Sequence, residues 1–80
     1  MRNIRVRYYA ILREQAGKSE EIVATAAATP AALFAELQAR YPFTLAAQQL
    51  KVAINAEFRD WQTPLRDADS VVFIPPVAGG

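Results

Sequence analysis

The sequence predicts an α+β domain in which a mixed β-sheet carries one main helix across one face. Three observations point there: a strictly alternating segment near the N-terminus, a capped helix bounded by prolines, and a closing apolar run, Val71-Val72-Phe73-Ile74. Eighty residues, 52% of them hydrophobic, suffice for one small core rather than a disordered chain.

Residues 3–9 alternate, with Ile4, Val6 and Tyr8 on one face and Arg5, Arg7 and Tyr9 on the other, which predicts a strand. Ala10 to Ala16 is rich in helix formers and stops at Gly17, a residue suited to a left-handed cap. Ser19 to Thr25 reads as a second strand neighbouring the first, with Ile22 and Val23 its apolar part. The alanine- and threonine-rich stretch 24–32 is expected to hold a loop and a helix start. Thr29-Pro30 supplies that start, a hydroxyl cap followed by proline at the first helical position. The helix is expected over Pro30 to Arg40 or Tyr41, burying Leu33, Phe34, Leu37 and Tyr41 as one stripe, and Pro42 stops it. A loop to about Leu50 leads into a strand at Lys51–Asn55, with Val52 and Ile54 inward, and then a turn at Asn55-Ala56-Glu57. Phe58 to Pro64 reads as irregular, with Trp61 as a lid on the core, and Leu65 to Ser70 as a polar turn. Val71 to Ile74 is the last strand. Strands on both sides of one long helix allow the last strand to pair with the first in parallel, the helix supplying the crossover. That order is the β-grasp, or ubiquitin-like, architecture, expected over residues 1–75 with an extended tail at 76–80.

Composition excludes several chemistries. The chain contains neither cysteine nor histidine, which removes disulfides, thiolate metal sites, Ser–His and Cys–His nucleophiles and the commonest general base. No phosphate-binding loop of the GxxxxGK[ST] kind is present, so no bound nucleotide or other cofactor is expected on the chain itself. With a net charge of +1 and no interleaved basic and aromatic positions, nucleic acid is not an expected partner. Arg2, Arg5, Arg7, Arg13 and Lys18 nevertheless face Glu14 alone in residues 1–18, whereas residues 57–69 lean acidic. Met1 followed by Arg2 and Arg5, without a long apolar run, gives no sign of a signal peptide or membrane span, so a cytoplasmic location is expected.

The tail is the most informative feature. Gly79 and Gly80 have no Cβ, and their backbone can thread a channel closed to other residues. An α-carboxyl at Gly80, with a reference pKa of about 3.5, is an anion at neutral pH. In a chain without a reactive side chain, it is the candidate reactive group. Pro75 and Pro76 favour an extended stem, and residues 76–80 would reach roughly 15 Å beyond a sheet at about 3.1 Å each.

Tyr8-Tyr9-Ala10-Ile11-Leu12-Arg13-Glu14, the turn at Leu65-Arg66-Asp67-Ala68-Asp69 and the ending Phe73-Ile74-Pro75-Pro76-Val77-Ala78-Gly79-Gly80 resemble the small subunits of molybdopterin synthase, in the ubiquitin-like ThiS–MoaD superfamily. The likeness spans essentially the whole chain. It implies a β-grasp sulfur carrier, itself non-catalytic, whose terminal glycine is adenylated by an E1-like adenylyltransferase using ATP. Sulfur from a donor protein then replaces AMP. The resulting thiocarboxylate enters a large subunit, in a heterotetramer of two large and two small chains, and gives its sulfur to cyclic pyranopterin monophosphate during molybdenum cofactor biosynthesis. By position, Gly80 would bear the thiocarboxylate, Gly79 would be its slender neighbour, and Pro75, Pro76, Val77 and Ala78 would form the inserted stem. The chain departs from the family where Asp67-Ala68-Asp69 stands for a frequent Asp-Gly-Asp, and where Ala78 stands for a frequent small hydroxyl residue. If the turn needs positive φ, Ala68 costs about 1 kcal/mol.

With Phe73 inward, Ile74 points outward on the face that Tyr9 shares, and Phe58 is close enough to join them. Tyr9, Phe58 and Ile74 are therefore expected to form a docking patch at the base of the tail. Asp67 and Asp69 read as turn formers rather than metal ligands. A carrier for thiamine thiazole synthesis and a ubiquitin-like protein modifier remain the alternative functions.

Overall fold

The structure, a computed structural model, describes residues 1–76; the expectations placed on Val77, Ala78, Gly79 and Gly80 lie outside the described residues. Five strands form one sheet: β1 (Arg2–Tyr8), β2 (Glu20–Thr25), β3 (Lys51–Ile54), β4 (Glu57–Arg59) and β5 (Ser70–Ile74). Two helices accompany them, α1 (Ile11–Ala16) and α2 (Pro30–Arg40). The strand order is β2-β1-β5-β3-β4, with β5 parallel to β1 and every other pair antiparallel. This is the β-grasp arrangement, with α2 providing the crossover between the outer hairpins.

The alternation in β1 places Ile4, Val6 and Tyr8 in the core, where they meet Val71 and Phe73 of β5 and Leu33, Phe34 and Leu37 of α2. Each large apolar side chain so buried contributes about 1.5–3 kcal/mol. The Thr29 hydroxyl accepts from the Ala32 amide at 3.2 Å, closing the start of α2 as its sequence predicts. Gly17 ends α1 at φ 77°, and its amide donates to the Arg13 carbonyl. Trp61 is the anticipated lid, stacked on Phe73 at 5.7 Å between ring centroids and edge-on to Phe34 at 5.9 Å.

Four readings need correction. The segment read as irregular from Phe58 contains β4, a three-residue edge strand paired with β3. The loop before β3 contains a single 3₁₀ turn at Ala47–Gln49, and Leu50 after it is buried. Leu65, placed in a polar turn, is buried at 3% exposure; Ile22 lies in β2 as expected, 66% exposed on the open sheet face. Thr25 lies in the featureless alanine-threonine stretch, yet it is buried, donates to Glu36 and accepts from the Ala27 amide.

The turn at Ala68 does require positive φ, at 73°. Asp67 Oδ1 accepts from the Asn3 amide at 2.7 Å, and Asp69 accepts from the Arg66 amide and the Asn55 side chain. Both carboxylates are thus spent on shaping the turn that delivers β5 alongside β1.

Candidate functional site

Pairing places the site on the sheet face that carries no helix. Across it, Phe58 lies opposite Ala53, Ala53 opposite Val72, Val72 beside Arg7 and Arg7 opposite Glu20. Paired residues point to the same side, so this row is continuous from one edge of the sheet to the other. In the next row Lys51 lies opposite Ile74. Period two in β5 fixes the arrangement: Val71 and Phe73 are buried, and Val72 and Ile74 face outward.

These residues line an open depression of about 440 Å3, formed by Arg7, Tyr9, Ala53, Phe58, Val72 and Ile74 and rimmed by Asn55, Ala56 and Ser70. The expected trio of Tyr9, Phe58 and Ile74 is brought together. Tyr9 is 45% and Phe58 68% exposed, and Ile74 is half-buried. The alternation that placed Ile74 outward also marks Val72 and Arg7 as lining residues. Ala53 was not legible, because its role depends on β4 crossing beside it.

Phe58 reaches the patch through the two-residue hairpin between β3 and β4. Asn55 and Ala56 both have positive φ, 52° and 70°, the pattern of a type I′ turn whose twist matches its strands. Lys51 sits over the Phe58 ring, its Nζ 5.9 Å from the centroid. On the opposite flank, Arg5 and Arg7 share Glu20 at 3.6 and 3.5 Å, all three side chains about half exposed. Ion pairs this open contribute at most about 1 kcal/mol.

The end of β1 that presents Tyr9 is anchored from below. Glu21, largely covered, accepts from the Tyr8 hydroxyl at 2.5 Å and the Tyr41 hydroxyl at 2.7 Å, with Lys18 and Arg40 at 3.5 and 3.9 Å. Burial pushes the Tyr8 phenol well above its ordinary range, helped by its hydrogen bond to Glu21. Burial also pulls the Glu21 carboxyl upward, but the two phenol hydrogen bonds and Lys18 outweigh it and hold the group below the usual carboxylate range. Lys18, at the solvent edge of the network, is raised by Tyr41 and then by Glu21. Tyr8 pairs with Phe73 across the β1–β5 ladder, so this network also steadies the strand from which the tail departs.

Pro75 is half-buried and Pro76 exposed, directly after Ile74 at the margin of the depression. The described chain therefore leaves the sheet beside the apolar patch. Among the described residues, no cluster of three or more metal-ligating side chains occurs and no helix is long and apolar enough to cross a membrane.

Residues 6–80 match the ThiS family. The molybdopterin synthase sulfur carrier subunit of Escherichia coli (strain K12) is 35% identical over 80 aligned positions, covering 96% of this chain and 99% of its own. A putative molybdopterin converting factor subunit 1 from Pyrococcus furiosus has the same fold, with a TM-score of 0.81 at 26% identity, covering 96% of this chain and all of that one. A chain in the complex of subunits 1 and 2 of the molybdopterin-converting factor from Helicobacter pylori superposes with a TM-score of 0.70 at 25% identity, covering 98% of this chain and 99% of that one.

Proposed function

The chain belongs to the ThiS family, and on that footing we propose that it is the sulfur carrier subunit of a molybdopterin synthase. The near full-length likeness to the Escherichia coli sulfur carrier subunit carries this reading. The Helicobacter pylori complex of subunits 1 and 2 supports a large-subunit partner.

The chemistry follows from what the residues can do. A carboxylate resists nucleophiles because its charge is shared over two oxygens and neither is a good leaving group. Attack of the Gly80 carboxylate on the α-phosphate of ATP, within the adenylyltransferase, releases pyrophosphate and leaves an acyl-adenylate. Sulfide sulfur then attacks the carbonyl carbon and expels AMP, giving a thiocarboxylate. Without cysteine or histidine the chain has no side-chain group to hold sulfur, so the main-chain terminus is its carrier atom. Gly79 and Gly80 are slim enough to pass into two different active sites in turn. The folded domain contributes the handle: the patch of Tyr9, Phe58, Val72 and Ile74 seats a partner, and the Pro75-Pro76 stem begins at its margin. In the large subunit, the thiocarboxylate sulfur attacks the cyclic pyranopterin monophosphate, and hydrolysis returns the carboxylate.

The test is intact-mass spectrometry after incubation with the adenylyltransferase, ATP and sulfide. The chain should gain the mass difference of one sulfur over one oxygen, localised to Gly80. A variant lacking Gly80 should fold normally and gain nothing; an equal gain in that variant overturns the reading. Stable isopeptide adducts on cellular proteins would instead mark a protein modifier, and capture of a thiazole synthase a thiamine-pathway carrier.

A further inference from the structure

The sheet ends at β2, and the phase of its hydrogen bonds decides what that edge can do. Tyr8 donates its amide to the Ser19 carbonyl at 2.8 Å, and the unbroken β1–β2 register makes these two residues direct partners. Bonded pairs recur at every second position of an antiparallel ladder, so Glu21, Val23 and Thr25 also spend their backbone groups on β1. The β1 side shows the same phase. The Arg5 amide donates to the Asp69 carbonyl at 3.0 Å, and the Asn3 carbonyl accepts from the Ala68 amide at 2.9 Å. Arg5 and Asn3, opposite Ile22 and Ala24, thus bond away from β2. The amides and carbonyls of Glu20, Ile22 and Ala24 therefore point out of the sheet edge, and among the described residues no strand lies beyond them. Their side chains share the helix-free side, with Ile22 66% exposed. The other edge, β4, is blunted: it is three residues long, with Glu57 and Arg59 on either side of Phe58.

We propose that the β2 edge pairs with the β2 edge of a second copy, antiparallel about a two-fold axis at Ile22. Outward-pointing backbone groups have to meet one another, and this register alone uses all three residues of both copies. Ile22 faces Ile22 of the second copy, and Glu20 faces Ala24. The two exposed isoleucines come side by side on one face. Glu20, held by Arg5 and Arg7 at 3.6 and 3.5 Å, meets an alanine rather than a second carboxylate. An axis at Glu20 would instead oppose like charges. A second copy arrives with its strand already formed, whereas a free peptide has to lose chain entropy to match the edge. Three bonded pairs and one apolar contact are less than a standard interface, so the dissociation constant is about 0.1–1 mM. Because β5 lies two strands inward from this edge, each copy keeps its depression open. The contact is therefore independent of the sulfur-carrier reading.

The register is tested by cross-linking, since the chain has no cysteine of its own. Bonded antiparallel partners stand about 5.5 Å apart at Cα, within disulfide range. Ala24 and its own copy would stand about 14 Å apart, as would Glu20 and its copy, which is out of range. Under mild oxidation Ile22→Cys should therefore form covalent dimers at least about tenfold faster than Ala24→Cys or Glu20→Cys alone. A mixture of Ala24→Cys and Glu20→Cys should cross-link to each other. By NMR diffusion, the apparent mass of the unaltered chain should rise toward twice the monomer's between about 50 µM and about 2 mM. Ile22→Pro removes one outward donor and no ladder bond, and Ile22→Lys sets two cations across the axis. Each should remain monomeric over that range, with circular dichroism confirming the fold. An unaltered chain that stays monomeric at the upper concentration overturns the proposal. Equal cross-linking at all three positions, or association undiminished in both Ile22 variants, overturns it as well.

Discussion

Truncating Phe58 to alanine separates a docking role from a structural one. Its ring is 68% exposed on the sheet face opposite the core, leaving roughly 140 Å2 of apolar surface for a partner to cover. At about 25 cal/mol per Å2, complete coverage is worth at most ~3.5 kcal/mol, of which an alanine retains roughly a third. The loss is therefore ~2 kcal/mol, or about a 30-fold rise in Kd. The domain itself loses only the cross-strand contact with Ala53 and the Lys51 contact, together under about 1 kcal/mol. Titration calorimetry against the adenylyltransferase and the large subunit, with thermal unfolding as control, reads both quantities. Phe58→Leu should recover most of the affinity. A Kd within about threefold of the unaltered chain for both partners would refute the placement of Phe58 at the centre of the interface.

Three further substitutions test the fold around the site. Ala68 has φ 73°, so Ala68→Gly should relieve about 1–2 kcal/mol of steric cost and give back roughly half as entropy, raising Tm by a few degrees; a lower Tm contradicts the turn. Glu21 has a folded pKa below its unfolded value, so its contribution is present above the unfolded pKa of about 4.3 and is lost as pH falls through the folded one. Glu21→Gln should accordingly flatten the acid limb of a stability-against-pH curve, and an unchanged limb would contradict the network. Tyr8 has a folded pKa raised by burial, so its contribution is complete below the unfolded pKa of about 10 and is lost as pH climbs above it. Tyr8→Phe should remove that alkaline loss; its persistence in the variant would assign it to another group.

What could be read from the chain was local. The period of two in β1 and β5, the Thr29-Pro30 start and the Pro42 stop each act within a few residues, and each produced its element. The parallel pairing of β5 with β1 followed from the order of elements, because only one right-handed crossover was on offer. Strand β4 escaped notice because its three residues are all exposed, so no buried periodicity marks it. What makes it a strand is the Asn55-Ala56 turn, which folds without the glycine that usually signals a type I′ hairpin. Leu65 looked polar by its neighbours, yet it sinks into the core while its carbonyl is held by the Arg2 side chain across 63 residues of sequence. The Glu21 network joins Tyr8, Lys18, Arg40 and Tyr41 from separate elements, a convergence that no single window displays. Tyr9, Phe58 and Ile74 of the patch were legible in the sequence; Ala53 became part of it only when the sheet was assembled.

The decisive measurement follows sulfur from the carrier to its acceptor. Chains loaded at Gly80 are mixed with the large subunit and cyclic pyranopterin monophosphate, and both protein mass and pterin product are quantified. The sulfur increment should vanish from the carrier as dithiolene appears, with two carrier chains unloaded for each product, since each chain holds one sulfur and a dithiolene needs two. Dithiolene formed while the carrier keeps its increment, or formed equally with chains lacking Gly80, would contradict a carrier whose working atom is the end of its own backbone.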